Sequence, residues 1–128
     1  MIDKKGKTIL LIEDDPDQVF LYSTKFRLEK LKIINANNGI EGIKKVEAEK
    51  PDLILLDIVM DKMDGMEVLE KLKSNKETKN IPVVLLTNLI KKDLMEKSKR
   101  LGAVGFWSKA EVLPAEIVSR VKLILNIK

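Results

Sequence analysis

The residues of this chain that could do chemistry stand at the ends of four short apolar runs. Three acidic residues, Glu13-Asp14-Asp15, follow the first run, and Asp57 follows the third. A hydroxyl and an ammonium follow the last two runs, as Thr87 and Lys109. Carboxylates, a hydroxyl and an ammonium gathered in one place would form a metal-and-phosphate site, because Mg²⁺ binds carboxylates and an ammonium binds phosphate.

The apolar runs alternate with stretches whose apolar residues recur at helical spacing. The runs are continuously apolar, which is typical of a parallel sheet covered on both faces. Five such units predict a doubly wound α/β fold with right-handed crossovers. Ligands bind at the carboxyl ends of the strands in open sheets of this kind, so we expect the four polar groups to meet there. The second run, Ile33-Ile34, ends in Asn35-Ala36-Asn37 and adds no charge.

Helix limits follow from the same spacing and from the turn residues between the runs. Gly102 stands where a helix C-terminal glycine belongs. We expect helices over Asp17 to Lys30, Gly39 to Lys50, Gly65 to Ser74, Lys91 to Leu101, and from Leu113 onward.

Composition excludes several classes of site. The 128 residues suggest one domain over 1–128, and a hydrophobic content of 45% is enough for a core. The chain has no cysteine, which excludes disulfides, thiolate catalysis and cysteine-zinc sites, and no histidine, which excludes a Ser-His-Asp triad. A net charge of +4 with 4% aromatic residues favours a solvated surface over a nucleic-acid interface.

No apolar run reaches transmembrane length, and the N-terminal stretch 1–7 is polar and lacks the apolar core of a signal peptide. We therefore expect a soluble, cytoplasmic protein. The fifth helix ends the chain, so we also expect no attached effector domain.

Each polar residue has a structural interpretation beside the chemical one. Asp14 and Asp15 could cap a helix, since Pro16 suits the first turn. Asp57 could bond local amides, Thr87 could be an ordinary strand residue, and Lys109 a surface lysine. Three adjacent carboxylates, however, repel one another unless a cation is present.

A hard divalent ion such as Mg²⁺ fits the acidic residues, because it takes one or two carboxylates together with water and phosphate oxygens. Asp57 could then act as a nucleophile that accepts a phosphoryl group as an acyl phosphate. Thr87 and Lys109 could each bond a phosphoryl oxygen.

The chain resembles the receiver domain of two-component response regulators, of the single-domain, CheY-like kind. The resemblance covers about 7–125. The matching segments are Ile9–Pro16, Asn38–Gly42, Pro51–Asp57, Met63–Glu67, Ile81–Thr87 and Leu101–Lys109. It implies a flavodoxin-like (βα)5 fold with strand order 2-1-3-4-5.

The resemblance also implies a mechanism. A histidine kinase or phosphotransfer protein would give a phosphoryl group to Asp57. Mg²⁺ would be bound by Asp15 and Asp57 directly, by Asp14 through water, and by the backbone carbonyl of Val59. Lys109 and Thr87 would hold the phosphoryl oxygens, and the chain would catalyse its own phosphorylation without being a classical enzyme.

The same resemblance implies how the phosphoryl group is read. Thr87 would move toward it, and Phe106 would follow inward and remodel the face made by the fourth helix, fifth strand and fifth helix. A downstream protein would bind there; neither nucleic acid nor membrane is an expected direct partner. Plain core packing is the alternative for Phe106. Trp107 should point to the opposite face of the sheet.

Three departures from the family pattern lie close to these residues. Ala110 replaces a usual proline, and Asp61 and Asn88 replace smaller or stiffer residues. Since a cis bond before a non-proline residue costs about 3 kcal/mol, we expect the Lys109–Ala110 bond to be trans or strained. Val59 and Leu89 flank the position of the hydrolytic water in relatives, and both are apolar, so self-dephosphorylation should be slow.

Three alternatives remain at this point. The chain could be a pseudo-receiver, an interaction module that keeps the fold without phosphorylation, since a fold does not fix a function. It could be a small phosphatase with an aspartyl nucleophile, although Val59 stands where a second aspartate is usual. A flavin-binding relative of the same fold would need a small-residue phosphate loop, whereas Glu13-Asp14-Asp15 would repel a phosphate.

Overall fold

Five strands and five helices alternate along residues 6–127, the part of the chain that the computed structural model describes. Most of the polar N-terminal stretch 1–7 lies outside it. The strands are β1 (Thr8–Ile12), β2 (Lys32–Ala36), β3 (Leu53–Leu56), β4 (Val83–Thr87) and β5 (Gly105–Ser108). The helices are α1 (Pro16–Leu28), α2 (Gly39–Glu49), α3 (Gly65–Ser74), α4 (Lys92–Leu101) and α5 (Pro114–Leu125).

The strands form one sheet in the order β2-β1-β3-β4-β5, and every pair is parallel. This confirms the predicted flavodoxin-like, doubly wound α/β fold. Because parallel strands are joined by crossovers, all five carboxyl ends lie along the same side of the sheet. We call that side the carboxyl end of the sheet; it carries the residues that follow β1, β3, β4 and β5.

The continuous apolar runs are explained by two hydrophobic clusters, one on each face of the sheet. Successive strand side chains point to opposite faces. Ile9 and Leu11 pack with residues of α1 and α5, while Leu10 and Ile12 pack with residues of α2 and α3. All residues of β3 and β4 are buried, so these two strands have no solvent-facing side.

Element limits differ from the predicted ones by at most two residues, and those of α3 and β3 agree. β2 runs from Lys32 to Ala36, longer than its apolar pair, because all five of its residues pair with β1. α1 stops before Lys30, which has a left-handed φ of 62°. Gly102 ends α4 with a φ of 104°, as predicted, since glycine adopts this conformation without steric cost. The peptide bonds of the described residues are all trans, including Lys109–Ala110.

None of the helices described between residues 6 and 127 combines the length and the apolar character needed to cross a bilayer.

Candidate functional site

The sheet brings the predicted polar groups together at its carboxyl end. Backbone hydrogen bonds continue one residue past the strands: the amide of Asp57 donates to the carbonyl of Ile12 at 3.1 Å, and the amide of Lys109 donates to the carbonyl of Thr87 at 3.0 Å. An open cleft of about 450 Å³ lies there. Six of the seven predicted site residues line it: Asp14, Asp15, Asp57, Val59, Thr87 and Lys109.

Lys109 is the centre of the charged contacts in this cleft. Its ammonium donates to Oε1 of Glu13 and, at 3.1 Å, to Oδ2 of Asp57. The three side chains are only 8%, 2% and 10% exposed, in the order Lys109, Glu13, Asp57. The interpretation of Lys109 as a surface lysine is therefore wrong, because this ammonium is buried between two carboxylates.

Burial and pairing act in opposite directions on these groups. Burial alone would lower the pKa of Lys109, but the hydrogen bond to Glu13 and the charges of Asp57 and Glu13 outweigh it, and the pKa is raised. Burial raises the pKa of Glu13, and Lys109 offsets that rise only in part. The ammonium is thus firmly protonated, while Glu13 is an acid that burial makes harder to ionise.

The side chain of Asp57 is hydrogen-bonded to the backbone of the loop that follows it. The residue is 7% exposed, and its Oδ1 accepts a hydrogen bond from the amide of Ile58 at 2.7 Å. The amide of Gly65 donates to the carbonyl of Ile58 at 2.8 Å, and a Cβ on Gly65 would lie 2.1 Å from the carbonyl oxygen of Asp57. Only glycine allows α3 to begin this close to the strand end. The local amide bond expected for Asp57 is therefore present together with the contact to Lys109.

The acidic residues after β1 have separate roles. Asp15 caps α1, since its Oδ1 accepts from the amide of Asp17 at 2.9 Å, and the residue is exposed. Oδ2 of Asp14 accepts from the amide of Asp61 at 3.2 Å. Glu13 is 1% exposed and reaches Lys109. The capping interpretation is thus confirmed for Asp15, whose predicted part in metal binding stays a prediction.

Glu13 is a site residue that the sequence pattern does not single out from its acidic neighbours. Side-chain alternation along the strands could have identified it. Leu11 and Leu55 are partners in the β1–β3 register. Two residues further along each strand, Glu13 and Asp57 therefore project to the same face at the same level, which agrees with their shared contact to Lys109.

Thr87 and Phe106 point to the same face of the sheet, but only Thr87 lines the cleft. Thr87 is fully buried and lines the cleft, and its Oγ1 accepts from the amide of Leu89 at 3.1 Å. Phe106 does not line the cleft; it packs half-buried against the cluster on the α2 and α3 face. Trp107 packs on the opposite face, as predicted, with the guanidinium carbon of Arg120 5.3 Å from its ring centre.

The oxygen donors suit a hard cation, but they are not preassembled around one. No three acidic side chains within residues 6–127 form a group that could hold a metal ion. Asp14 and Asp57 nevertheless line the same cleft, and Mg²⁺ needs only one or two carboxylates when water and phosphate oxygens complete its octahedron. The chemistry of the donor set therefore fits Mg²⁺.

The family model described as the response regulator receiver domain matches residues 9–122. The chain belongs to that family. It is thus a receiver domain of the kind found in two-component response regulators, as the sequence motifs predicted. Glu13, Asp57 and Lys109 fall within the matched residues.

Individual relatives support the same assignment. The alkaline phosphatase synthesis transcriptional regulatory protein PhoP of Bacillus subtilis is 36% identical over 123 residues, which are 94% of this chain but 49% of PhoP. The chain thus spans about half the length of that relative. Sporulation initiation phosphotransferase F of the same organism is 34% identical over 104 residues, covering 81% of this chain and 82% of that protein.

A solved structure gives the corresponding comparison for the fold. The Mn²⁺-bound form of the response regulator Rcp1 superimposes with a TM-score of 0.81 at 29% identity, over 93% of this chain and 94% of that one. A receiver of the same fold thus holds a divalent metal ion.

Proposed function

We propose that this receiver domain accepts a phosphoryl group on Asp57 from a histidine kinase or a phosphotransfer protein. The observation that carries the proposal is the pairing of a buried Asp57 carboxylate with Lys109 at the floor of an open cleft. The resemblance to a sporulation phosphotransferase supports the class of reaction. A partner of this class would place the domain in the cytoplasm.

The proposed step is a transfer between two nucleophiles. An oxygen of Asp57 forms a bond to phosphorus while the phosphorus–nitrogen bond of the donor phosphohistidine breaks. The histidine nitrogen leaves with the electron pair, and the product is an acyl phosphate. Lys109 and Thr87 hold the phosphoryl oxygens, so the protein contributes mainly position and opposite charge.

The residues that would hold Mg²⁺ are Asp15, Asp57 and the carbonyl of Val59, with Asp14 bound through water. The ion would offset the repulsion between carboxylates and phosphoryl oxygens. The cap of α1 uses only Oδ1 of Asp15, so its Oδ2 remains available to a cation. We therefore expect Asp15→Asn to weaken Mg²⁺ binding more than Asp14→Asn. A larger loss in Asp14→Asn would contradict direct ligation by Asp15.

The proposed readout is the face of α4, β5 and α5. Phe106 lines a groove of about 380 Å³ there, together with Met95 and Ser98. In this proposal Thr87 shifts toward the phosphoryl group, Phe106 moves into the space that this opens, and the altered groove binds a downstream protein.

A single experiment tests the phosphoacceptor assignment. The protein is incubated with Mg²⁺ and acetyl phosphate, and its intact mass is measured, with Asp57→Asn as the control. We expect one phosphoryl group on the wild type and none on the variant, because the carboxamide is a far weaker nucleophile. The same adduct on both proteins would place the acceptor elsewhere. A wild-type protein that shows no adduct and does not bind Mg²⁺ would favour the pseudo-receiver.

The lifetime of the acyl phosphate gives a second test. Val59 is 62% exposed and Leu89 half-buried, and both line the cleft without a polar group that could orient water. We expect slow hydrolysis, and severalfold faster loss of phosphate after Val59→Asn with Leu89→Glu, since a positioned polar group assists attack by water. Equal decay rates by mass spectrometry would contradict this explanation.

A further inference from the structure

Asn35 stands at the carboxyl end of β2, beside the point where β1 ends. Its Nδ2 donates to the carbonyls of Leu11 at 2.9 Å, Ala36 at 3.0 Å and, more weakly, Glu13 at 3.4 Å. A carboxamide nitrogen carries two N–H groups, so these three acceptors share them. One side chain therefore connects both strands at the place where the acidic turn starts.

The main-chain ladder between the two strands stops at the same place. Its last bond runs from the amide of Glu13 to the carbonyl of Ala36, at 3.0 Å. Beyond Ala36 the chain turns into α2, whose N-cap is Asn38. Among residues 6–127, Nδ2 of Asn35 is the only donor to the carbonyl of Glu13. The side chain thus supplies the bond that a longer strand would have supplied.

We propose that Asn35 is a positioning residue for the acidic turn that follows β1. The carbonyl of Glu13 belongs to the planar peptide unit that leads into Asp14, so holding this oxygen restricts where Asp14 begins. Glu13 binds Lys109, and Asp14 lines the cleft. The inference rests on the proposed function, because its main measurable consequence is the affinity of this cleft for Mg²⁺.

The surroundings explain why an uncharged amide suits this position. The backbone carbonyl of Asn35 accepts from Nζ of Lys45 at 2.6 Å, and Lys45 lies 3.5 Å from a carboxylate oxygen of Glu41. α2 therefore holds Asn35 from outside the sheet. A carboxylate here would face three carbonyl oxygens, and an ammonium would compete with Lys109 for the acidic groups. The amide donates without disturbing the charges of the cleft.

The test is Asn35→Leu, a substitution of similar size that removes both donors. Calorimetric titration of metal-free protein with Mg²⁺ should show a dissociation constant raised about fivefold, the typical net effect of one hydrogen bond. Phosphorylation by acetyl phosphate should slow at limiting Mg²⁺. Asn35→Ser keeps one hydroxyl donor and should show a smaller loss; it decides the question if Asn35→Leu does not fold.

Two controls separate positioning from general loss of stability. Thr78→Val removes a buried bond from Oγ1 to the carbonyl of Leu72, 2.6 Å long and at the opposite end of the sheet. It should lower the melting temperature and leave the Mg²⁺ affinity unchanged. Asn37→Ala, in the exposed turn beside Asn35, should change neither.

The outcomes distinguish this inference from the proposed function. The positioning role alone would be overturned if Asn35→Leu and Asn35→Ser bound Mg²⁺ as tightly as the wild type. It would also be overturned if Thr78→Val lost as much Mg²⁺ affinity as Asn35→Leu. A wild-type protein that neither binds Mg²⁺ nor takes up a phosphoryl group would overturn the proposed function, and this inference with it.

Discussion

Two lysines at opposite ends of the sheet each hold two oxygen atoms, but of different chemical kinds. At the amino end, Lys73 donates to the carbonyls of Lys79 and Ile81, both at 2.8 Å, and burial lowers its pKa. At the carboxyl end, Lys109 donates to the carboxylates of Glu13 and Asp57, which outweigh burial and raise its pKa. The first ammonium closes a loop; the second balances negative charge.

The difference extends to the other polar groups at the two ends. At the amino end, the amide of Thr8 donates to Oδ2 of Asp52 at 2.7 Å, while the amide of Asp52 donates to the carbonyl of Thr8 at 2.8 Å. Such reciprocal bonds stabilise the fold and leave little capacity for a ligand. At the carboxyl end, more carboxylates than ammonium groups line an open cleft, and this excess suits an incoming cation.

The largest expected effect follows from removing the ammonium of the cleft. Lys109→Met leaves Glu13 and Asp57 buried beside each other without a positive partner. We expect a loss of about 3 kcal/mol in the free energy of unfolding at neutral pH, since a broken buried pair leaves an uncompensated charge. Urea unfolding of metal-free protein measures it. An unchanged free energy of unfolding would mean that the ion pairs of Lys109 with Glu13 and Asp57 do not stabilise the fold.

A smaller effect is expected at the amino end. Lys73→Met removes two bonds to neutral carbonyls that are partly accessible to water, so the loss should be about 1 kcal/mol. The yield of the acetyl phosphate adduct should match that of the wild type. If Lys73→Met and Lys109→Met were equally destabilised in the same urea titrations, the contrast between the two ends would fail.

The smallest effect on stability is expected for Glu13→Gln. This substitution should not lower the free energy of unfolding at neutral pH and could raise it. Because burial raises the pKa of Glu13, the folded protein keeps a proton that the unfolded chain has already released. Between the ordinary and the raised pKa, stability therefore falls as pH rises. The substitution should remove this fall and leave the metal-free protein at least as stable at neutral pH.

Unfolding curves of wild type and Glu13→Gln, collected from acidic to neutral pH with a chelator present, measure that difference directly. A variant that is clearly less stable than the wild type at neutral pH would show that the contact with Lys109 dominates over burial. The acidic cleft would then resemble the amino end, where each polar contact stabilises the fold.

Much of the fold could be predicted because it depends on local patterns. Continuous apolar runs are needed wherever both faces of a sheet are covered, and the predicted runs lie within or next to all five strands. The exact ends of the strands could not be read from the apolar runs. Val104 belongs to an apolar run but precedes β5, and β2 includes the polar residue Lys32. Strand ends depend on pairing with neighbours, which no single segment encodes.

The sequence by itself determined the chemistry available at the site. Asp57, Thr87 and Lys109 each end an apolar run, and parallel strands must place such ends together. The tertiary structure alone decided how the acidic residues divide their roles: Asp15 caps a helix, Glu13 pairs with Lys109, and the uncharged Asn35 joins two strands. The physical reason is that residue type fixes which bonds a side chain can make, whereas packing fixes which partner lies within reach.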